Sequence, residues 1–339
     1  MTKYDYIIRK ITERTINGND RDWAMNIEAF DWVPGVGLFG VYKAYKAIGC
    51  REWLDYLIGW TQRHLKEADK QHTVNSTAPM LTVVCLYQET GKQELLEAAV
   101  EAGEYLIKEA PITREGGLEH TVTEAVEGFS EQIWADTLFM ACLFLIELEA
   151  VTGEWKYTDF ALKQLLIHHR LLSDGNGLYF HGWNCAAENH MSSVRWGRAN
   201  AWILFSSMYI LNRTGAFEGR DQIEEAVKRH ACRLRDVQTE NGAFGTILND
   251  PSSYEELSAT AGIAAGLILA RKKGLIDETF DEVIERSVGA VENAVSEDGV
   301  LEQVSTGTPV MENADAYKKI PCCPTLYGQG LALAMFAEL

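Results

Sequence analysis

The chain has 339 residues, 47% of them hydrophobic and 24% charged, with a formal net charge of −18. That balance is ordinary for a globular protein and excludes nucleic acid or an anionic membrane surface as a partner, since no long basic stretch could release counterions. It leaves room for a small anionic ligand, held by a few focused cationic groups.

The N-terminal stretch MTKYDYIIRKITERTING is charged throughout, and no run approaches the roughly 20 apolar residues that span a bilayer. A cytoplasmic protein is expected. The seven cysteines form no CxxC pair and several lie in apolar runs, consistent with reduced, buried thiols.

From residue 3 onward the chain alternates two kinds of helical pattern. Apolar helices are predicted to start near residues 34, 76, 136, 198, 258 and 326, and amphipathic ones near 3, 51, 93, 154, 219 and 278. Five glycines punctuate them. Gly49, Gly91, Gly153, Gly215 and Gly274 follow AYKAI, CLYQET, ELEAVT, ILNRT and ARKK, each where a left-handed residue would end an apolar helix. After each amphipathic helix comes a Gly-rich turn, as in REGGLEH, SDGNGLYFHGW, TENGAFGTI and EDGVLEQV, read as a short hairpin or compact loop.

No Pro- or Ser-rich linker interrupts the alternation. Six inner and six outer helices in turn close most simply into an all-α (α/α)6 barrel over 1–339 as one domain; an open helical array is the alternative. In the barrel all inner helices run the same way. Their N-termini and preceding loops therefore gather at one rim, where exposed N–H groups suit an anionic or hydroxyl-rich ligand.

The rim loops read FDWVPGVG, HTVNSTAP, QIWADT, VRWGRANAW, SSYEELS and PCCPTLYGQ. Aromatic residues beside charged or amide groups suit sugar rings, whose C–H faces stack while hydroxyls take the polar groups. Asp136 is either an N-cap or the acid of a site. Trp32, Trp134, Trp196 and Trp202 are either ligand platforms or core. Asp31 is placed to cap the first apolar helix, and His181 sits in a loop. Arg198 opposes the macrodipole at a helix start, which points to a ligand or a buried acid as its partner. His168-His169 and Cys322-Cys323 are adjacent pairs without metal-ligand spacing, and no HExxH, phosphate loop or GxSxG elbow occurs, so neither metal nor cofactor is expected.

The series DWVPGVGLFG, VNSTAPMLTVVCLYQETG, EQIWADTLFM, GLYFHGW, RWGRANAW, NDPSSYEELSATAG and IPCCPTLYGQGLAL resembles glycoside hydrolase family 105, the unsaturated rhamnogalacturonyl hydrolases. It runs in order over nearly the whole chain. The resemblance implies an (α/α)6 barrel acting on the unsaturated uronic acid that pectin lyases leave at a non-reducing end. The implied chemistry avoids the glycosidic carbon. An acid protonates C4 of the enol ether, an oxocarbenium-like centre forms at C5, water adds there, and the hemiketal opens and expels the next sugar. One Asp can run both steps, unlike the two-carboxylate arrangement of ordinary glycosidases.

The resemblance places that acid at Asp136. It gives Arg198 and His181 the uronate carboxylate or ring hydroxyls, and Trp134 and Trp202 the sugar faces. Asp31, Trp32 and Asn75 complete the expected binding set. Where members of the family often carry an acid this chain has Ala135, which removes a like charge that would raise Asp136. Asn75 stands where the related unsaturated glucuronyl hydrolases of family 88 carry an acid, which sets that family as the nearest alternative. A sugar 2-epimerase-type isomerase would need paired histidines on inner helices, which the pattern lacks. A non-catalytic carbohydrate-binding barrel would not need Asp136. Oligomeric state is not legible.

Overall fold

The computed structural model describes residues 3–18, 24–70, 72–123 and 129–339. Six helices form an inner layer: α2 (Trp32–Ile48), α4 (Ala78–Thr90), α6 (Leu143–Thr152), α8 (Gly197–Arg213), α10 (Leu257–Lys273) and α13 (Leu326–Phe336). Each packs on the next, and α13 returns onto α2 to close the ring. Outside it lie α1 (Lys3–Ile16), α3 (Arg51–His64), α5 (Gln93–Lys108), α7 (Trp155–Leu172), α9 (Arg220–Val237) and α11 (Asp281–Asn293). A short helix, α12 (Ala314–Lys318), is inserted before α13.

The layering follows from sequence pattern. The inner helices are apolar nearly all round: every residue of α13, and all of α10 from Leu257 to Ala270, is buried. Outer helices such as α9 bury one stripe, Ile223, Val227, His230, Ala231 and Leu234, at the spacing of a single helix face. The ring closes tightly where α2 meets α13. A Cβ on Gly40 would stand 2.5 Å from the Cα of Gly330, so only glycine permits that approach.

Gly49, Gly91, Gly153 and Gly274 end their helices with φ between 66° and 75°, as the punctuation predicts. Gly215 does not. Helix α8 stops at Arg213 with Thr214 in an extended conformation, and a cation replaces the left-handed cap. The Arg220 guanidinium donates to the carbonyls of Leu211, Thr214 and Gly215 at 3.1, 3.1 and 2.7 Å, satisfying the helix end from outside.

The Gly-rich turns form a recurring hairpin that delivers the chain from an outer helix to the rim. In four of them the first residue's N–H bonds the carbonyl four residues on: Thr113 to Gly117, Asp174 to Leu178, Thr239 to Ala243 and Ser296 to Val300, at 2.8–3.0 Å. A polar side chain then pins each hairpin. The N–H of Leu118, Tyr179, Phe244 and Leu301 donates to Gln164, Asn200, Thr260 and Gln329 respectively, at 2.7–3.0 Å.

Two short strands, β1 (Gln132–Trp134) and β2 (Gly182–Asn184), pair antiparallel with Trp134 opposite Gly182. The chain turns π-helical over Leu138–Cys142 before α6 begins, an irregularity that often marks functional sites. The inner helices converge at their other end on the buried Glu147, which takes hydrogen bonds from Tyr209 at 2.6 Å and Gln88 at 3.1 Å and pairs with Arg213 at 3.1 Å. No helix of the described residues is long and apolar enough to cross a membrane.

Candidate active site

A cavity of about 320 Å³ opens at the rim where the inner helices begin. Its walls are aromatic, from Trp32, Phe129, Trp134 and Trp196, and its polar groups are Asn75, His120, Asp136, Arg198 and Thr308.

Asp136 reaches it through the β1–β2 pairing. The Ala135 N–H donates to the His181 carbonyl at 3.0 Å, which extends the ribbon by one step and sets Asp136 beside His181. Its backbone carbonyl takes the first helical bonds, from Phe139 and Met140 at 3.0 Å. The carboxyl caps nothing. Oδ2 is enclosed and lies 3.4 Å from His181 Nε2, too far for a good hydrogen bond, and neither atom has another partner. The side chain keeps 14% exposure where it lines the cavity.

His181 is buried and its Nδ1 meets the Tyr317 hydroxyl at 2.7 Å. Its ring touches Trp196 at 4.1 Å and Trp134 edge-on at 5.3 Å. His120 stacks flat on Trp134 with centroids 4.3 Å apart and bonds the Thr137 hydroxyl through Nδ1 at 3.1 Å.

The electrostatics follow from burial and proximity. Desolvation alone would raise the Asp136 carboxyl, but His181, His120 and Arg198 together outweigh it and hold the group below its ordinary value. Burial holds His181 below its ordinary value against the pull of Asp136, and takes His120 down to about 4. At neutral pH the pair is thus a carboxylate facing a neutral imidazole.

Arg198 meets a buried acid, one of the two partners its position suggests, and also lines the cavity. Its guanidinium pairs with Glu256 at 3.3 Å, both side chains essentially inaccessible. It also donates to Ser258 and Ser305 through one terminal nitrogen and to the Thr306 carbonyl and Thr308 hydroxyl through the other. Trp196 and Tyr327 flank it at 4.5 and 4.8 Å. It lines the cavity and contributes field there, but its hydrogen-bonding capacity is largely committed within the protein. The expected clamp of Arg198 and His181 on a carboxylate is therefore not preformed.

Trp32, Asn75 and Trp134 line the cavity as expected. Asn75 Oδ1 and Trp196 Nε1, both on cavity-lining residues, are buried without a hydrogen-bond partner among the described residues. Three expected residues fall outside the lining: His181, which stands behind Asp136 with its side chain inaccessible, Asp31 and Trp202. Asp31 caps α2, accepting from the Trp32 N–H at 2.7 Å. Trp202, one turn beyond Arg198, is fully buried against Phe139 at 4.8 Å and belongs to the ring's interior.

Sequence reasoning missed His120, Phe129, Thr308 and Tyr317. His120 follows a Gly-Leu turn just as His181 does, GLEH beside GLYFH, and that parallel could have found it. Thr308 and Tyr317 lie on the long connection before α13, well upstream of the helix start where the rim logic looked. Among the described residues no group of three metal-ligating side chains is arranged around a metal.

The model of Glycosyl Hydrolase Family 88 matches residues 7–339. The unsaturated rhamnogalacturonyl hydrolase YesR of Bacillus subtilis is 36% identical over 314 residues, covering 92% of this chain and 90% of that protein. Crystal structures of possible members of family GH105 from Salmonella enterica and Klebsiella pneumoniae superpose with a TM-score of 0.94. They share 28% and 29% identity, and the alignments cover 99% and 100% of this chain and 93% of each of theirs. A family match over nearly the whole chain and a relative of this identity and coverage show that the chain belongs to Glycosyl Hydrolase Family 88 and is a glycoside hydrolase.

Proposed function

We propose that the protein hydrolyses short oligosaccharides bearing a Δ4,5-unsaturated galacturonyl residue linked to rhamnose, the products of pectin lyases. The carrying observation is the cavity carboxylate Asp136, facing a neutral imidazole and walled by tryptophans. Enol-ether hydration needs one group that gives a proton and then takes one, and only one carboxylate lines this cavity among the described residues. The 36% identity to an unsaturated rhamnogalacturonyl hydrolase supports the substrate class.

In this reading Trp32 and Trp134 receive the sugar faces and Asn75 Oδ1 accepts from a ring hydroxyl. Protonated Asp136 delivers its proton to C4, and the resulting carboxylate takes a proton from the water that adds at C5. Arg198, held by Glu256, keeps positive potential near the uronate without direct capture. A carboxyl held low is almost wholly ionised at neutral pH and so has little proton to give in the free protein. Binding corrects this: the substrate's own carboxylate and the loss of cavity water both push Asp136 upward.

The distinguishing test is a panel of lyase-generated disaccharides. Turnover should be greatest on unsaturated galacturonyl-rhamnose and at least ~10-fold lower in kcat/KM on unsaturated glucuronyl glycosaminoglycan units, given that a site built on hydroxyl hydrogen bonds discriminates by factors of this size or more. The reverse preference would assign the chain to glucuronyl substrates instead. Asn75, in place of an acid at that position, favours the galacturonyl reading.

A further inference from the structure

Behind Asp136 stands a buried chain that the proposed reaction has not used. Tyr317, on the inserted helix α12, is fully buried, and its oxygen lies 2.7 Å from His181 Nδ1. His181 Nε2 lies 3.4 Å from the Asp136 carboxylate, which can only accept, so the ring hydrogen is favoured on that side and Nδ1 is left to accept from the phenol. A phenol is a competent donor here, since burial raises its ionisation well above the ordinary range.

Nδ1 is therefore an acceptor, and a neutral His181 must carry its hydrogen on Nε2. Nε2 is the nitrogen that faces Asp136 Oδ2. A carboxyl whose Oδ2 faces an N–H, even without a formed hydrogen bond, protonates more readily at the other oxygen, where no positive hydrogen opposes the proton. That oxygen is not among the enclosed atoms of the side chain, so it is the one open to the cavity.

We propose that Tyr317 is a positioning residue which fixes the Nε2–H tautomer of His181 and so directs the Asp136 proton to the cavity-facing oxygen. In the opposite tautomer the Nε2 lone pair would draw the acidic proton onto Oδ2, away from any ligand. The proposal deepens the hydrolase reading and rests on it for the catalytic consequence, though not for the tautomer itself. The other groups that act on the pair are His120 and Arg198. Neither contacts Nδ1, so neither can set the tautomer.

The test has two arms. Nitrogen-15 NMR of histidine-labelled protein, with the His181 signals identified by loss in His181→Asn, should show His181 as the Nε2–H tautomer near neutral pH. Tyr317→Phe keeps the ring and removes only the hydroxyl, and it should turn that signal into a mixture of tautomers. A wild-type His181 protonated on Nδ1 overturns the proposal without any variant, and an unchanged tautomer in Tyr317→Phe does so too.

In the second arm, Tyr317→Phe should lower kcat by at least ~10-fold with KM little changed, as misplaced tautomers do in acid–base sites. The alkaline limb of kcat/KM should move to higher pH, since Asp136 loses the N–H that holds it low. A loss in thermal stability with unaltered kcat and pH profile would show a merely structural tyrosine and overturn the proposal. Should no unsaturated uronide be turned over by the wild type, the substrate reading fails while the NMR arm still decides the tautomer.

Discussion

At the scale of single residues, Asp136 shows how one position can serve backbone and chemistry together. Its main-chain carbonyl starts the helical turn, while its carboxyl turns away from the N–H groups it could have capped and enters the cavity. Sequence left those two uses undivided, because cap preference and catalytic acidity favour the same residue type in the same place. Asp136→Asn is nearly isosteric but puts an amide, which can neither give nor take the catalytic proton, in place of the carboxyl. It should fold as the wild type does and lose at least ~100-fold in kcat, measured on the unsaturated disaccharide with far- and near-ultraviolet circular dichroism as the folding control. The pH dependence follows from the direction of its shift. The free carboxyl is held low and substrate pushes it up, so the alkaline limb of kcat should lie at higher pH than that of kcat/KM. Coincident limbs would mean that the substrate does not alter the acid. Arg198 and Trp202 mark the limit of legibility here. Both were visible as unusual, but only packing shows that one is engaged by Glu256 and the other by Phe139.

The elements were the most legible level, because glycine punctuation and 3.6-residue periodicity are local properties. Ten of the twelve ring helices begin within two residues of the predicted starts. The third inner helix starts late because its first turn is π-helical, and α11 is preceded by a short 3-10 turn at Glu278–Phe280. What punctuation could not convey was the function of the polar residues in RANAW and YGQGL. Asn200 and Gln329 resemble site residues in a string, yet they are hairpin pins: Asn200 bonds Tyr179 through both its N–H and its carbonyl, and Gln329 bonds Leu301 and Gly299. Gln329→Leu would leave the buried N–H of Leu301 without an acceptor. It should cost about 1–3 kcal/mol, read as a lower urea midpoint with little change in KM. A normal midpoint would show that the pin is dispensable.

At the scale of the whole molecule, the closed ring buries more titratable imidazole than composition suggests. His120 and His168 are held near 4, and His169 and His230 near 3, each chiefly by desolvation. An unfolded chain protonates these rings near pH 6.5. Their folded values lie lower, so the unfolded state binds more protons and stability falls as pH drops below about 6.5. The loss is about 1–2 kcal/mol per histidine by pH 5, before most carboxylates titrate. Thermal unfolding followed from pH 7.5 to 5 should show a steep fall in midpoint, and replacing His230 with Asn should flatten it. A midpoint independent of pH across that window would contradict the buried-neutral assignment. Ring closure was legible as a count of alternating helices, whereas the identity of the contacts across it was not, since they join residues far apart in the chain. The central claim is that this ring presents one acid to an unsaturated uronide. The most direct measurement is the ultraviolet absorbance of the conjugated enol ether in a lyase-generated galacturonyl-rhamnose disaccharide, followed with wild-type protein and with Asp136→Asn in parallel. The account predicts that the wild type abolishes the absorbance and that the variant leaves it nearly constant over the same period; an unchanged signal with the wild type, or equal loss with both proteins, would contradict it.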